Sequence, residues 1–138
     1  SHDGTSKHPV LQNYSPKNTN EAIAGRPHVD VYLHRLRGFV ALNDVNRKNG
    51  ATVYYKKSMN SKLLRENHVN LFFKDFDYIK NNEESHYISN QKLNRLNDNC
   101  TKSFLECKKG DLALLDLKTA HYAILPKEGE RHLLWLYY

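Results

Sequence analysis

Four residues stand out by type and spacing: His28 and Asp30, two apart, and then His121 and Arg131, ten apart near the end of the chain. Two imidazoles and one carboxylate can hold a divalent metal on one face and leave the opposite face open. A guanidinium beside such a centre can grip a carboxylate with two parallel hydrogen bonds. Side chains alternate along an extended strand, so His28 and Asp30 project to one side while Val29 and Val31 point the other way, into apolar packing. Each piece also has a plainer reading. His-x-Asp can be a surface strand pair, His121 can close a hydrogen-bond network, and Arg131 can sit solvated at a strand edge. If Arg131 instead points inward from a segment as apolar as His132-Leu133-Leu134-Trp135-Leu136, it needs an anionic partner.

The elements that must position these residues are mostly strands. Residues 1–27 are polar and broken by Pro9, Pro16, Gly25 and Pro27, with a short strand expected over Val10–Tyr14. The segments 28–33 and 36–42 are β-branched and aromatic enough to be strands, Asn49-Gly50 is a turn signal, and Ala51–Tyr55 reads as the next strand. Strands are expected again over Lys102–Cys107 and Asp111–Asp116, the latter of a buried type, and the apolar segment Arg131–Tyr138 closes the chain. Between them, residues 56–101 are rich in Asn and Lys, with an apolar island at Leu71-Phe72-Phe73 and Phe76. Weak periodicity there suggests helix over Asn60–His68 and Gln91–Leu96. Strand-rich halves around a polar excursion predict an all-β jelly roll or sandwich, not a βαβ fold, which would need regular crossover helices. The aromatics Phe72, Phe73, Phe76 and Tyr78 are expected to form the insertion's own small core, a lid over the barrel mouth being the alternative.

Composition narrows the class of function. The chain has 138 residues, enough for one domain with a single core, and is read as one domain over 1–138 with an insertion at about 56–101. A net charge of +6 and a pI of about 9.3 favour anionic ligands. The basic residues are scattered and no nucleic-acid motif appears, so small carboxylates and phosphates are expected before nucleic acid. No apolar run is long enough for a membrane span, and no secretory leader opens the chain. Cys100 and Cys107 are read as free thiols in a reducing, cytoplasmic setting. Ser1-His2 resembles a tag-cleavage scar, so His2 is set aside, and His34, His68, His86 and His132 show no ligand spacing. Asp75, Asp77, Glu83 and Glu84 are read as an exposed charged loop.

Taken in order, His28-x-Asp30, then Phe39-Val40-Ala41-Leu42-Asn43-Asp44-Val45 leading to Asn49-Gly50, then Gly110-Asp111, His121 and Arg131, the chain resembles the phytanoyl-CoA dioxygenase family from about His28 to Tyr138. The middle insertion is unmatched. The resemblance implies a double-stranded β-helix of the jelly-roll, cupin-like kind. It implies Fe(II) held by His28, Asp30 and His121, and 2-oxoglutarate as co-substrate with its distal carboxylate on Arg131. The implied activity is hydroxylation of a small molecule, with no catalytic side chains beyond the metal ligands. Asp30 fits the hydroxylating type, because halogenating relatives carry a small residue in its place. Ala123 departs from the family, in which a small hydroxyl residue often stands two places after the distal histidine. Only 27 residues precede His28, where relatives carry a long, partly helical region, and no Pro-Gly-Ser-His-like sequence ends the segment after Asn49-Gly50. Two other readings remain. One is a non-catalytic β-helix module that binds a ligand or partner through the same cavity. The other is a nucleic-acid demethylase of the same broad fold, which would need further arginines where Leu133, Trp135 and Tyr137 stand. An apolar final strand also leaves room for a homodimer through edge pairing.

Overall fold

The computed structural model describes residues 9–16, 25–30, 36–60, 62, 64 and 87–136. Among the described residues, seven strands, a short 3-10 turn (Ser58–Asn60) and the helix α1 are bounded: β1 (Val10–Tyr14), β2 (Leu36–Ala41), β3 (Thr52–Lys56), α1 (Asn90–Asn99), β4 (Thr101–Leu105), β5 (Leu112–Asp116), β6 (His121–Ala123) and β7 (Arg131–Leu136). They form two antiparallel sheets, a four-stranded one in the order β1-β7-β2-β5 and a three-stranded one in the order β4-β3-β6. The strand order is far from the chain order, as in a jelly roll, where consecutive strands cross between sheets. The chain is a double-stranded β-helix with a helix in its insertion.

Strand alternation decides what each sheet shows to the other. On the four-stranded sheet the registers Tyr14↔Arg131, Gln12↔Leu133, Phe39↔Trp135, Ala41↔Leu133, Phe39↔Ala113 and Arg37↔Leu115 put these residues on one face. Phe39, Ala41, Ala113, Leu115 and Leu133 are buried there, and Phe39 meets Trp135 edge to face at 5.0 Å. The opposite face carries Leu11, Leu36, Leu112 and Leu114, all more than half exposed. The segment expected to be a buried strand is therefore only half buried: a continuous apolar run hides a period of two, and Leu112 and Leu114 fall outside.

Two clusters make the core. Phe39, Ala41, Val45, Ala51, Cys107, Ala113 and Leu133 pack between the sheets at one end. Val29, Tyr55, Leu64, Ile88, Leu96 and Ala120 pack at the other and tie α1 to the barrel. Helix α1 starts where Ser89 caps it by accepting from the backbone N–H of Lys92, and it buries Leu96. It extends the helix expected over Gln91–Leu96 in both directions. Cys100 and Cys107 are free thiols.

Asn49-Gly50 is a turn, as the sequence marks it, and because β2 and β3 belong to different sheets it forms a corner between them. Asn49 is buried, donates to the carbonyls of Asp44 and Glu130 at 2.7 and 3.1 Å, and accepts from the Asn46 N–H at 2.7 Å. Gly50 has φ 109°, which a side chain would strain, and a Cβ there would meet the Ile124 carbonyl oxygen at 3.0 Å. The strand expected over Lys102–Cys107 runs from Thr101 to Leu105, and Cys107 makes a separate bridge to Val45. The final strand is defined to Leu136, and residues 137–138 lie outside the described residues. So do most of the helix expected over 60–68, the aromatic island at 71–78, the carboxylates Asp75, Asp77, Glu83 and Glu84, and His34, His68 and His86. Among the described residues, no helix is long and apolar enough to cross a membrane.

Candidate functional site

His28, Asp30 and His121 converge, and their ligand atoms all lie within 4.8 Å of one another. The stretch around His28 is extended, as the sequence suggests, but the described part, 28–30, is not a regular strand. His28 instead makes isolated bridges to Tyr87 and His121. Its N–H donates to the carbonyl of His121 and the N–H of His121 donates back, both at 2.9 Å. That reciprocal pair sets the two imidazoles side by side, with ring centroids 4.5 Å apart and planes tilted by 55°. Val29 turns the other way and is fully buried, and the Asp30 N–H donates to the Leu117 carbonyl at 3.1 Å. His121 opens β6 and does not merely follow a strand. The turn leading to it is held by Ser58, whose buried hydroxyl accepts the Ala120 N–H at 2.8 Å.

Both histidines are oriented the same way. Nδ1 of His28 faces the Arg26 carbonyl at 2.6 Å, and Nδ1 of His121 faces the Thr119 carbonyl at 2.8 Å. A carbonyl can only accept, so each Nδ1 carries the proton and each Nε2 is left for another partner. Both Nε2 atoms turn to the same carboxylate oxygen, Oδ1 of Asp30, at 3.3 Å from His28 and 3.8 Å from His121. Backbone carbonyls behind ligating imidazoles are the usual way to fix tautomer and ring direction at a metal centre. The other oxygen, Oδ2, accepts from Nη1 of Arg37 at 3.0 Å.

Charge follows this geometry. Burial pulls the His28 imidazole down, but the hydrogen bonds to Asp30 and Arg26 outweigh it and hold the group above its ordinary value. Burial raises the Asp30 carboxyl, yet the hydrogen bond from His28 and the charges of His121 and Arg37 bring it below the ordinary value. Burial dominates at His121 and lowers it, with the Asp30 charge opposing. The His28–Asp30 contact thus spans the position a divalent cation would take. Two imidazole nitrogens and one carboxylate oxygen suit ferrous iron, and three ligands leave the other coordination positions open. The donor set fits the metal.

Beyond the triad lies a cavity of about 130 Å³, lined by Gln12, His28, Asp30, Arg37, Thr52, Leu115, Leu117, His121, Ala123, Arg131 and Trp135. Arg131 does point inward and is only 2% exposed. It donates from Nη1 to the Gly50 carbonyl and from Nη2 to Oε1 of Gln12 at 3.2 Å, and its plane lies 4.6 Å from the centroid of Tyr14. Its Nε has no hydrogen-bond partner. Burial pushes the guanidinium down to about 10, so it is still a cation at neutral pH, and no carboxylate pairs with it among the described residues. All four residues singled out by spacing therefore border one cavity. His132, set aside, is hydrogen-bonded to Asn13 and paired with Glu130 on the outer side.

Gln12, Arg37, Ser58 and Trp135 escape the spacing argument. For two of them a signal exists: Arg37 shares a strand face with Phe39 and Ala41, and Trp135 shares one with Arg131 and Leu133. Nothing local marks Gln12 or Ser58.

No family model matches this sequence, and no curated protein matches it. Solved structures do. The chain is similar to the non-heme alpha ketoglutarate dependent epimerase SnoN from nogalamycin biosynthesis, at 14% identity and a TM-score of 0.55, over 91% of this chain and 42% of that one. It is similar to EvdMO1 at 16% identity and a TM-score of 0.54, over 92% of this chain and 26% of that one. It is also similar to an N-substituted L-amino acid dioxygenase from Burkholderia ambifaria AMMD, at 16% identity and a TM-score of 0.51, over 93% of this chain and 48% of that one. The chain thus spans less than half the length of each. At this identity the likeness is one of fold: the double-stranded β-helix seen in alpha-ketoglutarate-dependent enzymes.

Proposed function

We propose that this chain carries the Fe(II)- and 2-oxoglutarate-binding centre of a hydroxylase acting on a small molecule. His28, Asp30 and His121 hold the iron, and Arg131 holds the distal carboxylate of 2-oxoglutarate. The observation that carries the reading is the shared orientation of the histidines. Both Nδ1 atoms are engaged by backbone carbonyls, so both Nε2 atoms turn to one oxygen of Asp30. A structural histidine pair has no need of that arrangement. The resemblance to the phytanoyl-CoA dioxygenase family supports the same residue roles, and the fold neighbours support the chemistry in kind.

Bound there, ferrous iron with 2-oxoglutarate and O2 supplies the oxidising power that side chains lack. The chain's own residues do the rest. A cation at Asp30 takes the place of the hydrogen bond from His28, so metal binding competes with protonation of that imidazole. Arg37 keeps Oδ2 of Asp30 engaged, which leaves Oδ1 as the coordinating oxygen. Arg131 neutralises and orients the far end of the dicarboxylate, in the wall of the same cavity. Leu115, Leu117, Ala123 and Trp135 give the cavity apolar walls that limit water.

The test is anaerobic titration of metal-free protein with Fe(II) and 2-oxoglutarate, followed by the weak visible charge-transfer band of the chelate. Wild type is expected to show the band, His121→Ala to lack it, and Arg131→Ala to need far more 2-oxoglutarate. Folded wild-type protein with no band at millimolar co-substrate would refute the reading.

A further inference from the structure

The guanidinium of Arg131 is buried, yet its partners are neutral. One is the Gly50 carbonyl and the other is Oε1 of Gln12. The same Oε1 accepts a second hydrogen bond, from Nε1 of Trp135 at 2.8 Å. One amide oxygen thus sits in a cradle made by a guanidinium N–H and an indole N–H. It comes from β1, an edge strand, and from a residue 119 positions away from Arg131. Nε of Arg131 is left without a partner beside it. Two converging donors, one charged, with a third buried and unused, make a site for a carboxylate. An amide oxygen fills it incompletely.

We propose that Gln12 is a built-in placeholder for the carboxylate of the dicarboxylate ligand, and that Trp135 Nε1 is the second donor to that carboxylate. The inference rests on the co-substrate reading given above and adds to it two residues and an order of events. Without ligand, the Gln12 amide satisfies donors that would be costly to leave unpaired in a buried site. When a dicarboxylate enters, its distal carboxylate takes over the hydrogen bonds from Arg131 Nη2 and Trp135 Nε1, and Gln12 withdraws. Exchange is favoured because a charge-assisted hydrogen bond is roughly twice as strong as a neutral one. Withdrawal is feasible because Gln12 is only half-buried on an edge strand, with its neighbours Leu11 and Asn13 exposed. Placeholder and ligand compete for the same atoms, so Gln12 sets the affinity for the dicarboxylate and discriminates against ligands whose distal end is neutral.

Trp135 is the single tryptophan of the chain, so its emission reports directly on the cradle. The experiment titrates 2-oxoglutarate into wild type, Gln12→Ala and Gln12→Glu under nitrogen with Mn(II) present, and reads tryptophan fluorescence. Gln12→Ala removes the competitor and should bind about tenfold more tightly, the effect of losing one such hydrogen bond. Gln12→Glu brings its own carboxylate to Arg131 and should bind at least about tenfold more weakly, with a higher unfolding temperature in the absence of ligand. The two variants move in opposite directions, so loss of folding in one does not mimic the result. A saturable response that Gln12→Ala leaves unchanged or weakens overturns the placeholder and leaves the co-substrate reading standing. No saturable response in wild type or in either variant overturns both.

Discussion

The two ends of the cavity are organised on different principles. At the cation end, the groups behind His28 and His121 are main-chain carbonyls two residues away in sequence, Arg26 and Thr119. The rings are aimed by their own turns, and a single reciprocal bridge then sets the turns against each other. At the anion end, every partner of Arg131 is remote: Gly50 is 81 residues away and Gln12 is 119. The first end is built locally and needs one register to be right. The second exists only when β1 has paired with β7 and the Gly50 corner has packed beneath it. The cation end also holds a carboxylate of its own, so charge is balanced before any ligand arrives, whereas the anion end keeps a buried positive charge against neutral oxygens. On the proposed function, the one would be a finished site for a metal and the other a site awaiting its counter-charge.

If the ends are independent in this way, substitutions should separate them. Asp30→Ala removes the oxygen on which both Nε2 atoms converge. It should weaken Fe(II) binding by more than about 100-fold, beyond the range that outer hydrogen-bond partners command. The dicarboxylate response of Trp135 should remain, reduced only by the chelation to iron that is lost. Arg131→Leu should do the reverse. Dicarboxylate affinity falls about 100-fold, as two charge-assisted hydrogen bonds are lost, while Fe(II) affinity stays within about twofold. Stability should change little, because a buried guanidinium without a carboxylate is costly to keep. Paired titrations on both variants, by metal-dependent absorbance and by fluorescence, check the separation. Equal loss of both ligands in both variants would mean a single cooperative site and would dissolve the comparison.

The same contrast explains what could be read from the sequence. His28-x-Asp30 is a local signal, since two side chains two apart on extended backbone share a face whatever the rest of the fold does. His121 and Arg131 border one cavity from different sheets, β6 in the three-stranded and β7 in the four-stranded one, so their spacing of ten, read as adjacent antiparallel strands, did not by itself place them together. Strand positions were also visible, because β-branched and aromatic runs bounded by Gly and Pro mark them. Facing was harder. Leu112 to Leu115 gives no period, so the outward leucines could not be told from the inward ones, and Asn49-Gly50 looks the same in a hairpin as in a corner between sheets. Gln12 and Ser58 were beyond reach, since each acquires its role from a chain segment that folding alone brings to it. Arg37 was within reach, because it alternates with Phe39 and Ala41 on one strand face.

Ser58→Ala sharpens the comparison at an intermediate size, because it tests how local the cation end really is. Its hydroxyl accepts the Ala120 N–H from 62 residues away, one position before His121. Ala120 is fully buried, so the substitution leaves an N–H with no partner and should cost about 1–3 kcal/mol of stability. It should also lower Fe(II) affinity by about tenfold, at the low end for an outer-sphere partner. Thermal unfolding and metal titration of the same sample check both. A stability loss with unchanged metal affinity would show that the 117–121 turn holds His121 in place by itself.

The smallest effect concerns Arg37, and its sign depends on pH. The folded Asp30 carboxyl lies below its ordinary value of 3.8. Burial works against this, and His28, His121 and then Arg37 bring it about. A carboxyl depressed in the folded state adds stability above pH 3.8, and that contribution is lost as pH falls through the folded value. Arg37→Ala removes one of the lesser causes, so the folded value should move back up towards 3.8. The cost at pH 7 should be under about 1 kcal/mol, since both partners are partly exposed and screened. It should vanish at pH values below the folded carboxyl, where Asp30 is protonated in both proteins. Urea unfolding of wild type and variant at pH 7 and under strong acid reads the difference. A larger cost in acid than at neutral pH would mean that Arg37 acts through its stacking 5.7 Å from the centroid of Trp135, at the anion end, and not through Asp30. Arg37 reaches both ends, through Asp30 on one side and Trp135 on the other, so this measurement decides through which of them it acts.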